Sequence, residues 1–160
     1  MGRDRDDSAA ELRQLVREIN QSEGEGACRI IPDPGPLFDA LRRRFPFHRS
    51  GGIDWRKATL VESSGPSSDE TNPRLLRRIV GHWRAMRSLA SIRAADRVFF
   101  LSDDYFDAAL DCAAGSVPRV LEEWLRLPHA IAITDPDQQI CLHVPFIRSA
   151  YLGRSRGTPR

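Results

Sequence analysis

The sequence predicts an α+β domain: a small, mostly antiparallel sheet packed by helices, with a C-terminal β-hairpin. Two periodicities and one turn carry that prediction. Leu75, Ile79, Trp83, Met86 and Ala90 repeat at helical spacing, with Leu76 and Val80 widening the stripe. This reads as one long amphipathic helix from about Pro73 to Ile92. Ile131 and Ile133, then Ile140, Leu142 and Val144, alternate with a period of two, which gives each of two strands an apolar face. Between them stands Asp135-Pro136-Asp137-Gln138. There proline pre-sets φ at the second turn position and aspartate accepts local backbone N–H groups. A chain of 160 residues fits one domain. At that size roughly 70% of the unfolded surface is buried, so no metal or disulfide staple is required.

The other elements follow in order. Residues 1–7 read as a disordered lead. Ser8 and Glu11 make an S-x-x-E capping box ahead of Leu12, Leu15, Val16 and Ile19, predicting a helix from about Ala9 to Gln21. Ala27 to Ile31 predicts a short strand. Pro36 then opens a helix through Leu37, Phe38 and Leu41 that Pro46 stops. Ala58 to Glu62 is the next strand. Ser63 to Thr71, rich in Ser, Pro and Gly, reads as a mobile loop, and Asn72-Pro73 starts the long helix.

Val98 to Leu101 is a continuous apolar run, read as an interior strand. After it, Asp103 and Asp104 read as caps and Tyr105 to Leu110 as a helix start. Val117, Val120, Leu121, Trp124 and Leu125 form a further helix, capped by Ser116 and stopped by Pro128, with Glu122 and Glu123 facing away. The expected total is four or five strands and four or five helices. The expected boundaries are a single domain over 8–147 and a basic flexible tail over 148–160.

Composition narrows the function classes. The formal net charge is only +2, which argues against a dominant electrostatic partner. No apolar run approaches the ~18 residues of a membrane helix. The N-terminus lacks the apolar core of a secretory signal, so a cytoplasmic location is expected. Cys28, Cys112 and Cys141 are three thiols at wide spacing, with no CxxC, and read as small buried hydrophobes in a reducing compartment. Of 24 basic residues only Lys57 is lysine, which codon bias in a GC-rich genome accounts for.

Three clusters are candidates for chemistry. Asp103 and Asp104 follow a strand end, a common place for metal and hydrolytic carboxylates. Cys141 and His143 share one face of the last predicted strand, with His129 at the start of its partner, as zinc ligands could. No fourth ligand stands at a recognisable spacing, and a half-buried strand face is the simpler reading. His82 reads as a surface or boundary residue of the long helix. Nucleophile-elbow, zincin and phosphate-loop patterns are absent. Neither a metal nor a cofactor is expected.

Charge layout is the remaining signal. From Ser102 to Glu123 the acids Asp103, Asp104, Asp107, Asp111, Glu122 and Glu123 face only Arg119. They read either as solvated faces or as an acidic docking surface, since complementary charge speeds encounter and selects partners. The arginine-faced long helix could instead meet phosphate, but it lacks interleaved exposed aromatics, so nucleic acid is disfavoured.

The succession VFFLSDDYFDAAL, then VPRVLEEWLRLPHAIAITDPDQQICLHV, resembles the C-terminal half of small bacterial immunity-type proteins of polymorphic toxin and contact-dependent inhibition systems. The resemblance covers a strand, an acidic Tyr-bearing turn, a helix ending in Leu-Pro and a strand pair around Asp-Pro-Asp. It implies a non-enzymatic cytoplasmic protein that binds and neutralises a toxin, and it transfers no catalytic residue. The expected partner is a cognate protein, with a basic toxin domain matching the acidic run. The expected partner-binding residues are Asp103, Asp104, Tyr105, Asp107, Asp111, Glu122 and Glu123. The rival expectations are a small hydrolase or metal-dependent enzyme using Asp103, Asp104, Cys141 or His143, and a nucleic-acid binder using the helix over 73–92.

Overall fold

The computed structural model describes residues 2–49, 52–102, 108–127, 130–145 and 147–155, with side chains of the first helix from Asp7 onward. Four α-helices and seven strands run in the order α1 (Gly2–Glu23), β1 (Cys28–Ile31), α2 (Gly35–Arg44), β2 (Thr59–Ser64), α3 (Asn72–Ala90), β3 (Arg97–Ser102), β4 (Ala108–Ala113), α4 (Val117–Trp124), β5 (Ile131–Thr134), β6 (Ile140–Val144) and β7 (Ala150–Arg154). A 3₁₀ turn, Ala114–Ser116, precedes α4. The strands form one sheet in the order β1-β4-β3-β5-β6-β7-β2. Every pairing is antiparallel. The α+β class holds, and the expected helix count is met.

Helices cover both faces. On one side Leu12, Leu15 and Ile19 of α1, the Leu75–Ile79–Trp83–Met86 stripe of α3 and the apolar side of α4 pack on Val98, Phe100, Leu110, Ile133 and Leu142. On the other, Phe38 and Leu41 of α2, with Phe45 and Ile53, pack on Leu101, Ala109, Ala132 and Cys141. Strands β5 and β6 are therefore buried on both faces, and the half-exposed hairpin expected from alternation becomes the middle of a three-layer structure.

The turn between these strands works as its residues predict. Gln138 N–H bonds the Asp135 carbonyl at 3.0 Å. The Asp135 carboxylate accepts the N–H groups of Gln139 at 2.8 Å and Ile140 at 3.0 Å. The buried Gln138 side chain then ties the turn to α2, donating to the Leu37 carbonyl at 3.0 Å.

Two of the seven strands were not expected. Ala108 to Leu110 continue a strand rather than a helix start: β4 is paired on both sides, by β1 and β3, and small alanines suit a strand packed tightly between neighbours. Asp103, Asp104, Tyr105 and Asp107 lie outside the described residues. Residues 150–154 of the predicted tail form β7, inserted between β6 and β2. Ala150 and Leu152 are fully buried, which supplies the reason that Arg-rich flanks concealed.

Smaller corrections concern helix ends. The first helix begins at Gly2, so Ser8 is a buried helical residue and not its cap; an Asp-rich lead suits the positive end of a helix dipole. Ser116 makes no side-chain cap hydrogen bond. The fourth helix ends at Trp124, short of Pro128, where the Arg148 guanidinium donates to the carbonyls of Leu125 and Leu127. Satisfying those exposed carbonyls from outside lets the helix stop early. Beyond α3, Ser91 adopts the left-handed conformation, φ 52°, and its N–H closes back on the last turn.

Candidate functional site

The segment between α2 and β2 folds back under the sheet and builds an aromatic site. Asp54 N–H bonds the Pro46 carbonyl at 2.8 Å and His48 N–H bonds the Gly52 carbonyl at 2.9 Å, while Phe47 and Ile53 form an isolated bridge. Gly52 has φ +79°, the left-handed conformation this tight return needs. Asp54 is almost fully buried, yet its pKa lies below the usual carboxylate range, because the Arg56 side chain, and then the Arg56 N–H, donate to it.

That return carries Trp55 onto the sheet. Its ring stacks on Tyr151 at 5.8 Å and 11° and meets Phe45 edge-on at 6.0 Å. Its indole N–H donates to His143 Nδ1 at 3.1 Å. The bond requires an unprotonated Nδ1, so the neutral ring carries its proton on Nε2. Burial pushes the His143 pKa down to about 4. Trp55 can lie this close only because residue 153 is glycine. A Cβ there would stand 2.3 Å from Trp55 Cζ3 and 2.7 Å from the Thr59 carbonyl oxygen.

The result is an open groove of about 620 Å³, with Ile53, Trp55, Leu60, Pro145 and Tyr151 as its apolar and aromatic lining. Arg56, 81% exposed, and His48 stand on the rim, and Lys57 reaches Asp54 at 3.9 Å. The groove runs to strand β2, which closes the sheet order at one end. Leu60 and Val61 are each 42% exposed there, at a bulge between Leu60 and Glu62.

The opposite face of the same strand holds a polar relay. Ser64 Oγ is 2.7 Å from His82 Nε2, and His82 Nδ1 is 2.6 Å from Glu62 Oε1. Arg78 Nη1 donates to Ser64 Oγ at 2.8 Å. The same guanidinium is fixed by both Glu70 oxygens and by the Arg148 carbonyl. Glu62 and Ser64 point the same way because they are two apart on a strand, and His82 reaches them from α3. His82 is thus buried rather than superficial, 8% exposed. Arg78 leaves the basic helix face to serve as a tether. Glu70 is held below its usual carboxylate range by Arg78, so the loop before α3 is anchored at that point.

Of the residues expected to form one acidic surface, the three described ones, Asp111, Glu122 and Glu123, do not lie together. Asp111 lies on the α2 side of β4, since its neighbours Leu110 and Cys112 face the α1–α3–α4 core. It pairs with Arg29 at 2.8 Å and Arg97 at 2.7 Å. Glu122 and Glu123 are on α4, across the sheet. Arg119 pairs with both, and Arg126 reaches Glu123 at 3.7 Å. Glu122 also lines a cleft between α4 and the start of α3, and Glu123 is largely covered rather than facing away.

Cys141 and His143 share a face as the spacing predicts, but they are drawn into different surroundings. Cys141 is fully enclosed, and burial raises its thiol pKa further above neutrality. His129 lies outside the described residues. Among the described residues no three His, Cys, Asp or Glu side chains converge on a point where a metal could bind. No described helix is long and apolar enough to cross a membrane.

Sequence reasoning missed Trp55, Tyr151 and Gly153, which lie in a loop and an unrecognised strand. It also missed the Glu62–Ser64–His82 set. The one legible signal for that set was Glu62 and Ser64 at the i, i+2 spacing of a strand end. Comparison of the chain with family models, with curated proteins and with solved structures finds no match.

Proposed function

We propose that the chain is a non-enzymatic protein-binding module of the immunity type, capturing and neutralising a cognate toxin in the cytoplasm. The observation that carries this reading is the aromatic groove of Trp55 and Tyr151 opening beside β2, whose outer edge is unpaired among the described residues. Tryptophan, tyrosine and arginine dominate binding energy at protein interfaces, and this groove presents all three. Its rim carries Arg56 and His48, while Asp54 is already engaged by Arg56. The contact segment that fits is therefore apolar and acidic. This differs from the basic partner expected from the acidic run, whose described members Asp111, Glu122 and Glu123 are each paired with arginine.

The test is calorimetric binding of the toxin-sized domain encoded beside this gene. Arg56→Glu combined with Leu60→Asp changes two exposed side chains and is expected to weaken binding at least about tenfold, equivalent to ~1.4 kcal/mol. Reversal of Asp103, Asp104 and Asp107 to Lys is the matched comparison. If only that reversal weakens binding, the acidic run is the docking surface and the groove is not. If no neighbouring domain binds, the reading fails.

A small hydrolase is the second reading, favoured by the Ser64–His82–Glu62 geometry and not by Cys141 or the Asp103–Asp104 pair. In it His82 takes the Ser64 proton as Oγ attacks a carbonyl, and Glu62 orients the ring. A fluorophosphonate probe should then label Ser64, and labelling should vanish in both Ser64→Ala and His82→Ala. An unlabelled wild-type chain removes this reading and leaves the relay as a tether between α3 and β2.

A further inference from the structure

Cys28 and Cys112 stand directly opposite each other on β1 and β4. Their sulfurs are 2.8 Å apart and both side chains are buried. The register matters more than the distance. The Cys28 N–H bonds Asn20 Oδ1 at 2.8 Å, and the Cys28 carbonyl accepts from Asn20 Nδ2 at 2.9 Å. Both backbone groups thus turn outward to α1, away from β4. The pair is accordingly of the non-hydrogen-bonded kind, in which Cα atoms approach to about 4.5 Å and side chains are closest. That lies inside the ~4.4–6.8 Å window that a disulfide spans. Cys141 cannot compete, because it lies on the other face of the sheet with Phe38 and Leu101.

We propose that Cys28 and Cys112 are a reversible dithiol–disulfide site, oxidised by exchange with a small-molecule disulfide. The thiolate of one cysteine attacks a sulfur of the oxidant, expelling one thiolate and leaving a mixed disulfide. The second cysteine attacks the protein sulfur of that intermediate and expels the other. Two protein thiols and one small disulfide become one protein disulfide and two small thiols; the protein loses two electrons and the oxidant gains them.

Access comes from the position of β1. It is a four-residue strand at the end of the sheet, paired on one side only among the described residues, and such edges open locally more readily than the core. In the closed state the Cys28 hydrogen bond and burial hold the Cys112 thiol well above its usual range, so exchange proceeds through the opened edge. Once formed, the bond fastens β1 and the segment leading from α1 to β4, the next strand inward.

The experiment equilibrates the full chain in glutathione buffers from reducing to oxidising. Titratable thiols after denaturation should fall from three to one, the intact mass should drop by two hydrogens, and peptide mapping should join Cys28 to Cys112. The oxidised form should melt at a higher temperature than the reduced one, and that difference should disappear in Cys112→Ala. Three thiols persisting in the most oxidising buffer would overturn the proposal. So would a lasting glutathione adduct or a bond that includes Cys141.

Discussion

His143 has one usable protonation state, because its Nδ1 receives the Trp55 N–H. Its folded pKa of about 4 lies below the 6.5 of a free histidine, so protons bind the unfolded chain more readily. The stability due to the neutral ring is whole above pH 6.5 and is lost as pH falls toward 4. The loss should be on the order of 2–3 kcal/mol, visible as a falling denaturant midpoint. His143→Gln keeps an acceptor but does not titrate in that window, and should flatten the profile there. Glu70, lowered by Arg78, contributes stability above the ordinary glutamate range and loses it at more acid pH.

The neighbouring Gly153 makes a sharper test. Gly153→Ala sets a methyl carbon against both Trp55 and the Thr59 carbonyl, and neither atom is a flexible chain end. The variant should lose about 1–3 kcal/mol and shift tryptophan emission to the red as Trp55 leaves the sheet. Unchanged emission would mean that the strand yields instead of the ring. Neither residue was legible in the sequence. A glycine flanked by Leu152 and Arg154 reads as part of a loose tail until β7 is known to pair on both sides.

Elements were legible where apolar residues repeat at a fixed period or run unbroken. The stripe of α3, the interior strand β3 and the β5–β6 hairpin needed no tertiary information. The hairpin turn is testable on its own terms. Asp135→Ala removes the acceptor for two backbone N–H groups and should cost roughly 1–3 kcal/mol in chemical denaturation. Strands β4 and β7 were illegible for opposite reasons. The run Ala108-Ala109-Leu110 has helical propensity that pairing on two edges overrides, and β7 is too short and too closely flanked by arginine to show a period. The aromatic groove was hidden with them. It is assembled from a loop, β2, β6 and β7, which meet only after the sheet has formed.

For the molecule as a whole, β7 closes the sheet. It joins β2 to β6, and among the described residues 150–154 supply every backbone pair that holds β2. Removing residues 149–160 should leave β2 and the β6 edge unpaired and expose Leu142, producing an insoluble or molten chain by circular dichroism and dye binding. A truncated protein that melts cooperatively near the parent temperature would show that β7 is dispensable.

The order of strands in space also differs from their order of synthesis. Strands β3 to β7 are neighbours drawn from one stretch of chain, whereas β1 and β2, made earlier, sit at the two outer ends of the sheet. Each emerges from a ribosome long before its pairing strand exists. A nascent chain must therefore carry Ile30, Leu60 and Val61 without partners until β4 and then β7 appear, and this interval is where a holdase would be needed.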